Sequence, residues 1–126
     1  ALMADIDFHR QDILVPAPKV LNQYNVIVSN PPYIAESEKA DMEIHVKDHE
    51  PASALFVPDS DPLRFYRAIT DFALENLADD GAVYLEINPL FAPQLSEMMT
   101  AKGLVCDIYR DSQGKKRFAI AKRSAR

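Results

Sequence analysis

Short apolar runs alternate with helix-period stripes along the chain, a pattern that predicts α/β architecture. Ile6 and Phe8 alternate with charged neighbours, predicting a short strand that ends near Asp12. Val26-Ile27-Val28 is an uninterrupted apolar run, as expected for a strand covered on both faces of a parallel sheet. From Ile34 to Ser60 the chain is polar and irregular, a length of loop usually tied to function or motion. Asp61 as N-cap and Pro62 at the first helical position predict a helix, and Leu63, Tyr66, Ile69, Ala73 and Leu77 form its buried stripe. Asp79-Asp80-Gly81 is expected to end it, and Ala82 to Ile87 to form the next buried strand. Phe91, Leu95, Met98 and Met99 mark a second amphipathic helix closed by Gly103. Leu104 to Tyr109 and Arg117 to Ala121 read as antiparallel strands joined by a turn containing Gly114. The fold expected is a mostly parallel sheet with an antiparallel last strand.

All three glycines fall at predicted turns, so none belongs to a glycine-rich nucleotide loop. A doubly wound sheet normally opens with a strand and such a loop. This chain opens on a strand fragment, which leads to the expectation that residues 1–126 are one partial domain lacking its front. Composition narrows the function classes. The net charge of -5, with no long Lys/Arg stripe, argues against a general nucleic-acid binder. Lys115-Lys116-Arg117 and Lys122-Arg123 read as strand ends in solvent. No apolar run approaches membrane-spanning length and no leader pattern opens the chain, so a cytoplasmic protein is expected. Cys106 is the only cysteine and sits among Leu104, Val105 and Ile108, a small packing residue rather than a nucleophile.

The segment that carries chemistry is Asn30-Pro31-Pro32-Tyr33, directly after the apolar run at 26–28. Ligands in open α/β sheets bind outside the carboxyl ends of the strands. Proline forces Asn30 out of the helical region, and the two prolines make a stiff segment whose carbonyls can accept hydrogen bonds. An Asn oxygen, a carbonyl and the flat ring of Tyr33 together suit a planar NH2 group. Accepting both hydrogens orients a delocalised nitrogen lone pair toward an electrophile. The plainer reading is a proline turn that only ends a strand.

With those residues in view, the chain resembles the HemK/PrmC family, which methylates the glutamine amide of peptide chain release factors. Asn30-Pro31-Pro32-Tyr33 matches the (D/N)-P-P-(Y/F/W) motif that this family shares with amino-DNA methyltransferases. Glu50-Pro51 with Ala54-Leu55-Phe56 resembles its E-P-x-x-A-L segment. Leu63-Arg64-Phe65-Tyr66 resembles its G-L-x-x-Y helix start, with Pro62 where the family has glycine. Asp111, Gly114 and Arg117 match D-x-x-G-x-x-R, and Glu86-Ile87-Asn88 stands where the family has E-I-G.

The resemblance implies the C-terminal part of a Rossmann-like class I domain that uses S-adenosyl-L-methionine, without the N-terminal helical domain and the glycine-rich cofactor turn. It implies that Asn30 and the Pro31 carbonyl, stiffened by Pro32, hold the substrate amide while Tyr33 packs on it. Asp12, Ile13 and Asn30 would touch the cofactor. It further implies a release factor as protein partner, no DNA, no membrane and no metal, and an isolated chain that binds cofactor weakly, is inactive and self-associates through exposed edges and apolar faces.

Two rivals remain at this point: an amino-group methyltransferase acting on DNA or another translation component, and a non-catalytic binding module. His45 and His49, four apart beside Asp48 and Glu50, imitate metal-ligand spacing but have no third ligand at motif spacing.

Overall fold

In a computed structural model the described residues are 5–16, 23–35, 38 and 56–124. Along the chain they form β1 (Tyr24–Ser29), β2 (Ile34–Ala35), β3 (Phe56–Val57), α1 (Arg64–Asn76) and β4 (Leu77–Glu86). A 3-10 turn (Pro89–Phe91), α2 (Ala92–Ala101), β5 (Leu104–Arg110) and β6 (Lys116–Arg123) follow. Four strands make one sheet in the order β1-β4-β6-β5, and β2 pairs with β3 in a separate parallel ladder. β1 and β4 are parallel, while β6 runs antiparallel to both β4 and β5. Three of the four strands therefore share a direction and the last in sequence is reversed, a mixed α/β arrangement of the kind expected.

Strand alternation decides which side chains meet the helices. Val83 and Leu85 of β4 pair with Ala121 and Ala119 of β6, which in turn oppose Cys106 and Ile108 of β5. This row joins Tyr66, Ile69 and Ala73 of α1 and Leu95 and Met99 of α2 in one buried cluster. Each large apolar side chain buried there contributes about 1.5–3 kcal/mol.

The opposite face differs from the sequence expectation. Val28, Tyr84 and Ile120 lie side by side across β1, β4 and β6, and Val28 is 75% exposed. β1 is thus covered on one face, not two, because the buried cluster of α1 and α2 lies on the other. The predicted first strand is also absent: residues 5–12 form no strand among the described residues, and Phe8 is 92% exposed. An exposed segment with no strand beside it has no ladder to join, and its amides and carbonyls are left to water.

Three further corrections concern ends. α1 begins at Arg64, and its N-cap position, Leu63, makes no side-chain capping bond. Asp61 instead pairs with Arg67, Oδ2 to Nη2 at 2.5 Å, so it steadies the first turns from outside them. Asp79-Asp80-Gly81 does not close the helix; β4 starts at Leu77 and runs through it. Tyr24 faces Leu77 but Val26 faces Ala82, so β4 bulges between these pairs. Gly81 lies in that bulge, where an added Cβ would come within 2.9 Å of the Asn25 carbonyl oxygen, so its role is close approach rather than a turn. Gly103 and Gly114 do occupy turns, with φ of 105° and 80°.

Arg123 is not a solvated strand end. Its guanidinium donates to the carbonyls of Ala73, Leu74 and Leu77, closing the C-terminus of α1, where positive charge also meets the helix dipole. Asp111 holds the β5–β6 hairpin: its carboxylate accepts from the amides of Lys115 and Gln113 and faces Arg117 at 3.6 Å. The Lys115 amide bond leads the interactions that hold its carboxyl below the ordinary range. Cys106 is partly buried as expected, and burial, with the charge of Asp107, pushes its thiol up to about 11.

Candidate active site

β1 delivers residues 30–33 to its carboxyl end, and the chain is gripped again at once by β2, where Ile34 pairs with Phe56 and Ala35 with Val57. Asn30 is exposed, Pro31 buried, and Pro32 and Tyr33 half-buried. The side chain with hydrogen-bonding capacity therefore faces outward from a proline anchor. Asn30 borders a cavity of about 430 Å³ with Val28, Tyr84, Glu86 and Phe118. Tyr33 packs against the edge of the helix-side cluster and borders a second cavity of about 740 Å³ with Asn88, Leu90, Lys115 and Arg117.

Polar groups from β4 and the following turn surround Tyr33. Its hydroxyl donates to Glu86 Oε1 at 2.5 Å, and its carbonyl accepts from Asn88 Nδ2 at 3.0 Å. The same Nδ2 donates to Glu38 Oε1 at 2.8 Å, and that oxygen also accepts from the Ala35 amide at 2.9 Å. Asn88 Oδ1 takes the Leu90 amide at 3.0 Å, capping the 3-10 turn. Tyr66 of α1 reaches the Glu86 carbonyl at 2.7 Å. Asn88, only 6% exposed, thus satisfies its own amide while tying three segments together.

Burial, reinforced by the bond to Glu86 and its negative charge, pushes the Tyr33 phenol from 10.0 up to about 12, against an opposing pull from Arg117. The folded state holds this proton more tightly than the unfolded chain. Stability linked to it is complete below pH 10 and is lost as pH rises toward 12. Difference absorbance of phenolate between the wild type and Tyr33→Phe should show this one tyrosine ionising near the upper value; ionisation at the ordinary value would contradict the buried bond.

Asn30, Pro31, Pro32 and Tyr33 follow β1 as one segment, and the other expected cofactor residues, Asp12 and Ile13, stand on a turn of their own. Asp12 is exposed and its Oδ1 accepts the Leu14 amide in a tight turn. Ile13 packs toward α1 and borders a cavity with Ala68, Phe72 and Asn76. Residues 45–55, holding both loop histidines and most of the Glu50-Pro51 segment, lie outside the described residues. Among the described residues no cluster suits a metal ion and no helix is long and apolar enough to cross a membrane.

Sequence reasoning missed the roles of Glu86 and Asn88 in holding Tyr33, and of Glu38 in holding Asn88. A carboxylate at the end of an apolar strand was a usable signal for Glu86, and a residue other than glycine at 88 was one for Asn88. Glu38 sits in a polar stretch that offers none.

No family model matches the chain. It is similar to the release factor glutamine methyltransferase of Bacteroides thetaiotaomicron, with 42% identity over 123 residues, covering 97% of this chain and 44% of the relative. The chain belongs to the HemK/PrmC family. The enzyme of the same description from Flavobacterium psychrophilum is 43% identical over 96 residues, covering 75% of this chain and 33% of that protein. That from Bacillus subtilis is 33% identical over 122 residues, covering 95% and 42%. The chain therefore spans less than half the length of these relatives, which fits a fragment of a HemK/PrmC protein.

Proposed function

We propose that the full-length protein is an S-adenosyl-L-methionine-dependent N-methyltransferase acting on a glutamine side-chain amide of a peptide chain release factor. In this reading residues 1–126 are the C-terminal part of a Rossmann-like class I catalytic domain and carry its substrate side. The observation that supports it is Asn30-Pro31-Pro32-Tyr33 at the carboxyl end of β1, in a chain whose relatives bear that enzyme's name.

Among the described residues, the exposed polar side chains of Asn30 and Asp12 would hold S-adenosyl-L-methionine in part. When bound, the cofactor supplies an electrophilic methyl group. The chain's own residues do the rest. Asn30 Oδ1 and the Pro31 carbonyl accept the two amide hydrogens, which fixes the NH2 plane and presents its nitrogen. Their dipoles face the positive charge that develops on that nitrogen during transfer. The Tyr33 ring covers the amide and sheds water from it, and a held geometry replaces much of the entropic barrier. No nucleophile or paired carboxylates are required.

The test is to incubate full-length protein with labelled S-adenosyl-L-methionine and purified release factor, then map label by peptide mass spectrometry. One methyl group on a single glutamine is expected. Label on DNA or ribosomal RNA instead would overturn the reading.

A further inference from the structure

We propose that Glu86 is a positioning residue for methyl transfer that acts through Tyr33, while Asn88 holds the opposite end of the same tyrosine. This rests on the clamp reading above and extends it to residues outside the clamp motif.

A carboxylate at the end of a buried strand is costly unless its oxygens are used. Here the backbone around it is fixed first. The Glu86 carbonyl receives the Tyr66 hydroxyl from α1, and the next amide, Ile87, donates to the Arg117 carbonyl of β6 at 2.8 Å. One helix and one strand thus set where the Glu86 carboxylate stands. From that position Oε1 accepts the Tyr33 hydroxyl, the polar atom farthest from the tyrosine backbone. Ring rotation about χ1 and χ2 is thereby restricted, and the plane of the ring is defined before substrate arrives.

The other end is held independently. Asn88 Nδ2 faces two acceptors, the Tyr33 carbonyl and Glu38, while Oδ1 faces the Leu90 amide, so the orientation of the side-chain amide is determined by its own partners. Glu86 also borders the cavity that contains Asn30, and Tyr33 borders the one that contains Asn88 and Arg117. The carboxylate therefore links the two sides of residues 30–33. A ring aimed in this way keeps the Asn30 and Pro31 acceptors in register with the amide it covers.

The experiment uses the full-length enzyme with S-adenosyl-L-methionine and release factor. Tyr33→Phe and Glu86→Leu should each lower kcat about tenfold, with the KM for release factor little changed, because a loosened ring degrades orientation rather than affinity. The double variant should be no slower than the slower single one, since both remove one bond. Glu86→Gln, which keeps an acceptor oxygen, should recover most of the rate lost in Glu86→Leu. Tyr33→Phe with wild-type kcat, or losses that multiply in the double variant, would overturn the proposal. If Glu86→Leu fails to fold, Tyr33→Phe alone still decides. Asn30→Ala measured in parallel separates the two levels: lost transfer there with unchanged Tyr33→Phe sinks only the positioning role, whereas unchanged Asn30→Ala sinks the clamp and this role with it.

Discussion

Replacing Asn30 by Ala in the full-length enzyme is expected to lower methyl transfer by about 10²–10³-fold, the loss typical when one preorganised polar group facing developing charge is removed. The side chain is exposed at the end of β1 and the preceding strand is anchored by its pairing with β4, so the substitution removes an acceptor without disturbing the core. Unfolding midpoints should stay within experimental error of the wild type. Binding of S-adenosylhomocysteine, measured by calorimetry, should be largely retained, because most cofactor contacts are expected elsewhere. Undiminished transfer would remove the chemical basis of the clamp. A loss confined to cofactor binding would move Asn30 to the cofactor side of the reaction.

The second large effect concerns stability. Tyr66 is 2% exposed, lies on α1 and belongs to the buried cluster, yet its hydroxyl ends on the carbonyl of Glu86. Tyr66→Ala should cost about 3–5 kcal/mol, the range for deleting a buried aromatic ring. Tyr66→Phe preserves the ring and should cost about 1 kcal/mol, the net value of one hydrogen bond. Urea unfolding of the full-length protein reads both. The phenol itself resists ionisation, chiefly through burial. A Phe variant as unstable as the Ala variant would mean that the hydroxyl, not the packing, holds α1 over β4.

Much of this fold is written in local pattern. The stripe Leu95, Met98 and Met99 places α2, Gly103 ends it, and Gly114 marks the β5–β6 turn, because helical period and positive φ are properties of short segments. Where the pattern misled, a partner outside the segment decided. Ile6 and Phe8 alternate correctly for a strand but pair with none among the described residues. Asp61 has the chemistry of an N-cap but finds Arg67 instead. Gly81 looks like a helix stop, whereas the Asn25 carbonyl of β1 is what requires it.

The site divides along the same line. The segment 30–33 could be read because its chemistry is contiguous. Its supports could not, because Tyr33 and Glu86 are 53 residues apart and Asn88 and Tyr33 are 55 apart, and no periodicity reports such pairings. Asp12 and Ile13 were singled out by resemblance alone, and in the structure they stand in an exposed turn and beside α1.

The place of β6 has a consequence for biosynthesis. It follows β5 in sequence, yet it lies between β4 and β5, and its Arg117 carbonyl receives the Ile87 amide beside Glu86. While a ribosome is still extending the chain, β4 and β5 each wait with an edge unsatisfied, and those edges are sticky. Only when residues 116–123 emerge can they slot between the two and close the sheet. The support behind Tyr33 is thus finished only after β5 has been made, and nascent chains stalled before Lys116 should be captured by chaperones rather than fold.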